Sequence, residues 1–115
     1  MSYDIGLYEK QFLKRALEEN LGDWTIADRI PMKKYEWVKQ RLLQKGYLTE
    51  DYDVFAHPNP KWGVQIHFFE GEIAFVIAYW ADAESAIATV MADAIELARE
   101  ADLGFCDPQK GEVLF

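Results

Sequence analysis

The side chains with the widest chemical reach gather on one face of a hairpin. Residues 62–69 and 72–80 each alternate apolar with other residue types, and Glu70-Gly71 lies between them as a two-residue loop. Alternation puts Gly63, Gln65, His67 and Phe69 on one face of the first strand. Ala74, Val76, Ala78 and Trp80 share that face on the second, with His67 opposite Ala74 and Gln65 opposite Val76. An imidazole and a carboxamide among small and aromatic side chains can orient a ligand or dock a partner. Two readings of this face stand. It is an open binding surface, or it is covered by the first helix or the N-terminal segment.

Other reactive groups are scattered. His57 and His67 share no helical metal spacing, and Cys106 has Asp107 beside it but no adjacent base. The sequence contains no glycine-rich phosphate loop, nucleophile elbow or metalloprotease helix. It assigns no catalytic residue, metal ligand or cofactor site, and the expected role of Cys106 is a buried, inert thiol. Trp37 stands off the apolar stripe of its helix among Lys33, Gln40, Arg41 and Gln44. It can be held by cation–π contact, serve as a binding hot spot, or pack against the N-terminal segment. Asp93, Glu96 and Glu100 stack like charges at helical spacing. They form either a face for a basic partner or a solvated acidic surface.

The elements that position these groups follow from periodicity. Tyr3, Ile5 and Leu7 alternate as a short opening strand. Phe12, Leu13, Ala16 and Leu17 predict a helix over residues 9–20, with Gly22 as its stop. Met32, Tyr35, Val38, Leu42 and Leu43 predict a second helix, from Pro31 in its first turn to Gly46 beyond its end. A strand is expected near residues 54–56, before Pro58 and Pro60.

Counting back from the Glu70-Gly71 loop pairs Phe68 with Ile73, Ile66 with Phe75, Val64 with Ile77 and Trp62 with Tyr79. All the large apolar residues then lie on one face. A type I′ turn would require positive φ at Gly71. A third helix is predicted from Asp82, its N-cap, to Asp102, with Ala86, Val90, Ala94 and Leu97 in its stripe. Short strands are expected at Phe105-Cys106 and at residues 113–115. The order describes one α+β domain over residues 1–115. The expected architecture is a two-layer sandwich of a mostly antiparallel sheet with helices on one face, ferredoxin-like, plus an extra N-terminal helix.

Half of the 115 residues are hydrophobic and 28% are charged, which excludes intrinsic disorder. No apolar run is long enough for a membrane span, no signal peptide opens the chain, and a lone cysteine suits a reducing cytoplasm. The net charge of −8 argues against nucleic acid as a partner. Charge is uneven: residues 1–50 hold nine basic and eight acidic residues, net +1, and residues 51–115 hold three and twelve, net −9. A basic protein partner would be drawn to that pole.

Residues 82–115 combine an Ala-Ile-Glu-Leu-Ala helix (Ala94 to Ala98), a Leu103-Gly104-Phe105 step, Asp107-Pro108-Gln109 and a closing Gly111-Glu112-Val113. This pattern resembles small bacterial α+β families that include toxin-immunity-like proteins. The resemblance implies a bacterial, non-enzymatic protein and no catalytic residue. The function expected first is therefore an immunity- or inhibitor-like interaction module for a basic partner. A small-ligand-binding or enzymatic domain around Gln65 and His67, and a homodimeric accessory subunit, are the alternatives.

Overall fold

The computed structural model describes residues 2–22, 24, 27–78 and 83–115. The opening strand, β1 (Ser2–Tyr8), leads into α1 (Lys10–Glu18) and α2 (Met32–Gln44). Strands β2 (Leu48–Asp51), β3 (Val54–Ala56), β4 (Val64–Phe68) and β5 (Ile73–Ala78) follow, then α3 (Ala83–Ala101), β6 (Gly104–Asp107) and β7 (Glu112–Leu114). The strands form one sheet in the order β2-β3-β4-β5-β1-β6-β7, with every pairing antiparallel. Strand β1, read from the sequence as a minor opening element, lies inside the sheet between β5 and β6.

The hairpin register agrees with the count from its loop: Phe68 faces Ile73, Ile66 faces Phe75 and Val64 faces Ile77. Two details differ. Trp62 stands in a 3-10 turn over Pro60–Trp62, outside β4, and the expected partner Tyr79 lies outside the described residues. Gly71 does not take the left-handed φ of a type I′ turn. A Cβ there would lie 2.7 Å from the Ala27 Cβ and 2.8 Å from its carbonyl oxygen. The glycine is required by close approach of a neighbouring segment, which also ties in through an Ile30 N–H to Glu70 C=O bond of 2.8 Å.

All three helices stop in the same way. The residue after the cap turns left-handed (Asn20 φ 51°, Gly46 φ 94°, Asp102 φ 57°). The next N–H then reaches back to a carbonyl of the last turn: Leu21 to Ala16, Tyr47 to Leu42 and Leu103 to Ala98, at 2.8–3.0 Å. The first helix thus ends at Glu18, short of the predicted Asn20, and its left-handed stop is Asn20 in place of Gly22. Asp82, the predicted cap of α3, lies outside the described residues.

One sheet face carries Tyr3, Ile5, Leu7, Ile66, Phe75 and Phe105, packed against Val38 and Leu42 of α2 and Val90 and Leu97 of α3. Met32 and Leu43, assigned to the α2 stripe by spacing, are exposed. Helix α1 lies on the opposite face, where Phe12, Leu13 and Ala16 cluster with Tyr8 and Cys106. A Cβ on Gly104 would meet Leu13 Cδ2 at 2.7 Å, which explains a glycine under this helix. Among the described residues, no helix is long and apolar enough to cross a membrane.

Among the described residues, Asp107 is the buried acidic one. It accepts hydrogen bonds from Tyr3 Oη (2.5 Å), Gln109 N (3.2 Å) and Gln109 Nε2 (2.7 Å). Pro108 has no N–H to continue the β6 ladder beyond Cys106. The Gln109 side-chain amide takes its place, accepting from Asp4 N (2.9 Å) and donating to Asp4 O (2.7 Å). The Asp-Pro-Gln step is therefore a turn that also extends the ladder of β1.

Phe75→Ala should cost about 3–5 kcal/mol in urea denaturation, because it opens a cavity at the centre of this core. A loss under about 0.5 kcal/mol, the size of a surface effect, would contradict the register. Tyr35 supplies a second test. Its hydroxyl is buried without a hydrogen-bond partner among the described residues. Burial first, then the Glu70 and Asp53 charges, push its phenol up to about 12. Because the folded value lies above the ordinary one near 10, the neutral phenol's contribution is full below about pH 10 and is lost as pH rises through about 12. Tyr35→Phe should thus gain about 1 kcal/mol at neutral pH and flatten the alkaline loss of stability, read by urea denaturation from about pH 8 to 12.

Candidate functional site

The face of the sheet that α1 leaves uncovered is the candidate site. Side chains alternate on it from three strands. Asp4 and Gly6 of β1 stand opposite Val76 and Ala74 of β5, which in turn face Gln65 and His67 of β4. Gly6, Ala74 and Ala78 are small, so the surface is concave. A Cβ on Gly6 would lie 2.6–2.8 Å from the Tyr8 ring, so the glycine lets that ring lie against the strand.

Tyr8 is fixed from several sides. Its ring meets Trp24 edge-to-face at 5.1 Å and Phe12 at 6.1 Å, and its hydroxyl donates to Glu72 Oε2. Trp24 is held by its own Nε1–H bond of 2.9 Å to the Leu21 carbonyl. On the other side, His67 stacks on Phe69 at 6.0 Å and 9°, and Gln65 lies between His67 and Glu50, 3.3 Å from each.

Three hollows run along this face. The first, about 470 Å³, lies among Tyr8, Trp24, Phe69, Glu72, Val76 and Cys106. The second, about 540 Å³, shares Trp24, Phe69 and Glu72 with it and continues to Gly22 and Ala27. The third, about 550 Å³, shares Val76 with the first and extends past Gln65 and Ala56 to His57 and Leu48. His57 is itself packed, stacked on Trp62 at 4.4 Å and edge-on to Tyr47 at 5.2 Å. Among the described residues, no lysine or arginine lines any of the three, whereas Asp4, Glu50, Glu70 and Glu72 do. Glu70 is paired with Arg29 at 3.0 Å. Asp4, Glu50 and Glu72 have no cationic partner among the described residues.

The phenol and the thiol of this trough hold their protons tightly, whereas the imidazole at its far end gives its second proton up more readily. Burial, then the hydrogen bond and charge of Glu72, raise the Tyr8 phenol well above its usual range. Burial, then the Asp107 and Glu72 carboxylates, raise the Cys106 thiol. Burial lowers the His57 imidazole, whose Nδ1 accepts from Asn59 N at 3.0 Å. A neutral phenol and a neutral thiol are hydrogen-bonding and packing groups, neither base nor nucleophile. The arrangement is suited to binding. Among the described residues, no cluster of three or more metal-ligating side chains occurs.

The sequence candidates divide. Gln65, Phe69 and Val76 line the hollows, His67 lies on the same face against Gln65 and Phe69 but lines none of them, and Trp80 lies outside the described residues. Trp37 is elsewhere, partly buried against the main core with the Arg41 guanidinium 5.9 Å from its ring. Asp93, Glu96 and Glu100 face α2. Arg41 contacts Glu96 and Glu100 at 3.0 and 3.3 Å, Lys45 contacts Glu96 and Asp93 at 3.0 and 3.7 Å, and Tyr47 Oη donates to Asp93 at 2.7 Å. Their charge is answered within the chain.

Tyr8, Trp24, Glu72 and Asp4 were not singled out from the sequence. Asp4 and Tyr8 carry the parity opposite to Tyr3, Ile5 and Leu7, and that parity was the available signal. Comparison with models of protein families, with curated proteins and with solved structures finds no match.

A raised, buried thiol should be slow to alkylate. Native protein should lose Cys106 to iodoacetamide more than about tenfold more slowly than urea-unfolded protein at pH 8. Equal rates would mean an activated cysteine in the trough.

Proposed function

We propose that this chain is a protein-interaction module that docks a basic segment of another protein along the open face of its sheet. One observation carries the reading: three adjoining hollows form a single long trough whose lining, among the described residues, holds unpaired carboxylates and no cation. An elongated open trough suits an extended polypeptide better than a small molecule, which is normally enclosed on most sides. Acidic lining favours a basic occupant and speeds its encounter. The same lining disfavours a homodimer through this face, because two copies would bring Asp4, Glu50 and Glu72 into apposition.

The immunity- or inhibitor-like role in a bacterial cytoplasm belongs to this proposal. So does a ferredoxin-like reading of the core, which the strand order β4-β5-β1-β6 with α2 and α3 on one face supports. The packed acids of α3 have no part in it.

Val76 stands where two of the hollows meet, so Val76→Arg places a bulky cation in the trough. A partner isolated with the wild-type chain should be lost by this variant while its circular dichroism spectrum stays native. The wild-type on-rate should fall several-fold between about 50 and 500 mM salt. A partner that survives Val76→Arg and protects α2 or α3 from hydrogen exchange would refute the proposal.

A further inference from the structure

The first hollow has a more specific chemistry than the trough as a whole. Three aromatic side chains, Tyr8, Trp24 and Phe69, line it together with two carboxylates, Asp4 and Glu72. Aromatic ring faces attract cations, and they do so more strongly where water is excluded. The Tyr8 hydroxyl engages only Oε2 of Glu72, so Oε1 remains to accept another donor. Asp4 accepts from Ser2 Oγ at 3.0 and 3.2 Å and meets no lysine or arginine among the described residues. Gly6 lies in the lining beneath the Tyr8 ring, and Phe69, 55% exposed, stands at the edge of the hollow.

We infer that this hollow receives the ammonium head of one lysine side chain of the docked partner, held by Glu72 Oε1 among the three aromatic side chains, with the Asp4 carboxylate adding negative charge to the same lining. The inference rests on the docking proposal and names the anchor. Lysine is preferred to arginine here because its charge is compact, its donors radiate, and its long apolar stem can lie along Ala74 and Val76. A guanidinium gains most from a bidentate carboxylate, and Glu72 already gives one oxygen to Tyr8.

The test uses defined probes with the full chain. Nα-acetyl-lysine methylamide, the norleucine analogue, butylammonium and a lysine-containing basic peptide are titrated in turn into ¹⁵N-labelled protein. The lysine amide should move the Gly6 and Ala74 amides and the Trp24 indole signal saturably, in the millimolar range. The norleucine analogue should not, and the peptide should bind at least about tenfold more tightly than the amide. Glu72→Gln keeps an acceptor for Tyr8 and should weaken the lysine probes roughly tenfold. Phe69→Ala, at an exposed position, should weaken them less and leave the fold intact.

Equal binding of norleucine and lysine amides would overturn the inference, as would shifts confined to other residues. Butylammonium binding as tightly as the peptide would assign the hollow to free amines and overturn the lysine source. If a partner depends on Val76 but is indifferent to Glu72→Gln, the lysine anchor fails and the docking proposal stands. If the lysine amide binds but Val76→Arg leaves the partner bound, the docking proposal fails, and with it the partner as the source of the lysine.

Discussion

Six consecutive pairs, from Ser2 opposite Ala78 to Leu7 opposite Ile73, hold β1 against β5. Side chains alternate along both strands, so this register decides which residues meet the helices and which meet the trough. Tyr3, Ile5 and Leu7 share a face with Ile77, Phe75 and Ile73, and α2 and α3 pack on it. A slip of one residue would turn Asp4 and Gly6 into the core and Ile5 outward, at a cost of several buried apolar side chains worth roughly 1.5–3 kcal/mol each. The same pairs set Gly6 beside Ala74 and Asp4 beside Val76, which makes the opposite face concave and acidic. Core and candidate site are therefore two consequences of one pairing.

That pairing needs support at the far side of β1, where β6 ends early. Three residue pairs, from Tyr8–Gly104 to Gly6–Cys106, make the ladder, and Pro108 interrupts it. Asp107 then holds Gln109 in the conformation that lets its amide bond both backbone groups of Asp4. A buried carboxylate is costly unless it is hydrogen-bonded, and Asp107 has three donors aimed at it. The C-terminal turn thus fastens the N-terminal strand, and it does so at the residue whose carboxylate lines the trough.

Local patterns were legible where the physics is local. The hairpin's register could be counted from its loop because one choice places every large apolar residue on one face. Gln65, His67, Phe69 and Val76 could be assigned to a shared surface by the same count. The second helix ends at Gln44 and is stopped by a left-handed Gly46, the glycine the sequence marked beyond its end. Strand β2 could not be seen, since every residue of it is exposed and two of its four are acidic, which is how an edge strand discourages foreign pairing. Gly71 looked like a turn glycine because its neighbours cannot reveal that Ala27 presses against it. Tyr8 and Glu72 are separated by 64 positions and are joined only when β1 enters the sheet beside β5. Likewise the acids of α3 read as a free surface because their cations lie on a different helix.

The contrast between those two sets of acids bears on function. On the helical side the chain sets its own cations against its carboxylates, Arg41 and Lys45 each bridging two of Asp93, Glu96 and Glu100. On the trough it leaves Asp4, Glu50 and Glu72 without a cation among the described residues, beside an exposed phenylalanine and a floor of small side chains. Of the floor residues, Gly6 is dictated by the Tyr8 ring, but Ala74 and Ala78 face the hollows. Larger apolar residues there would bury more surface, at roughly 25 cal/mol per Å², so the chain forgoes available stability. Folding alone favours filling the trough and pairing its acids, as the other face demonstrates. A basic, partly apolar occupant would satisfy both needs at once.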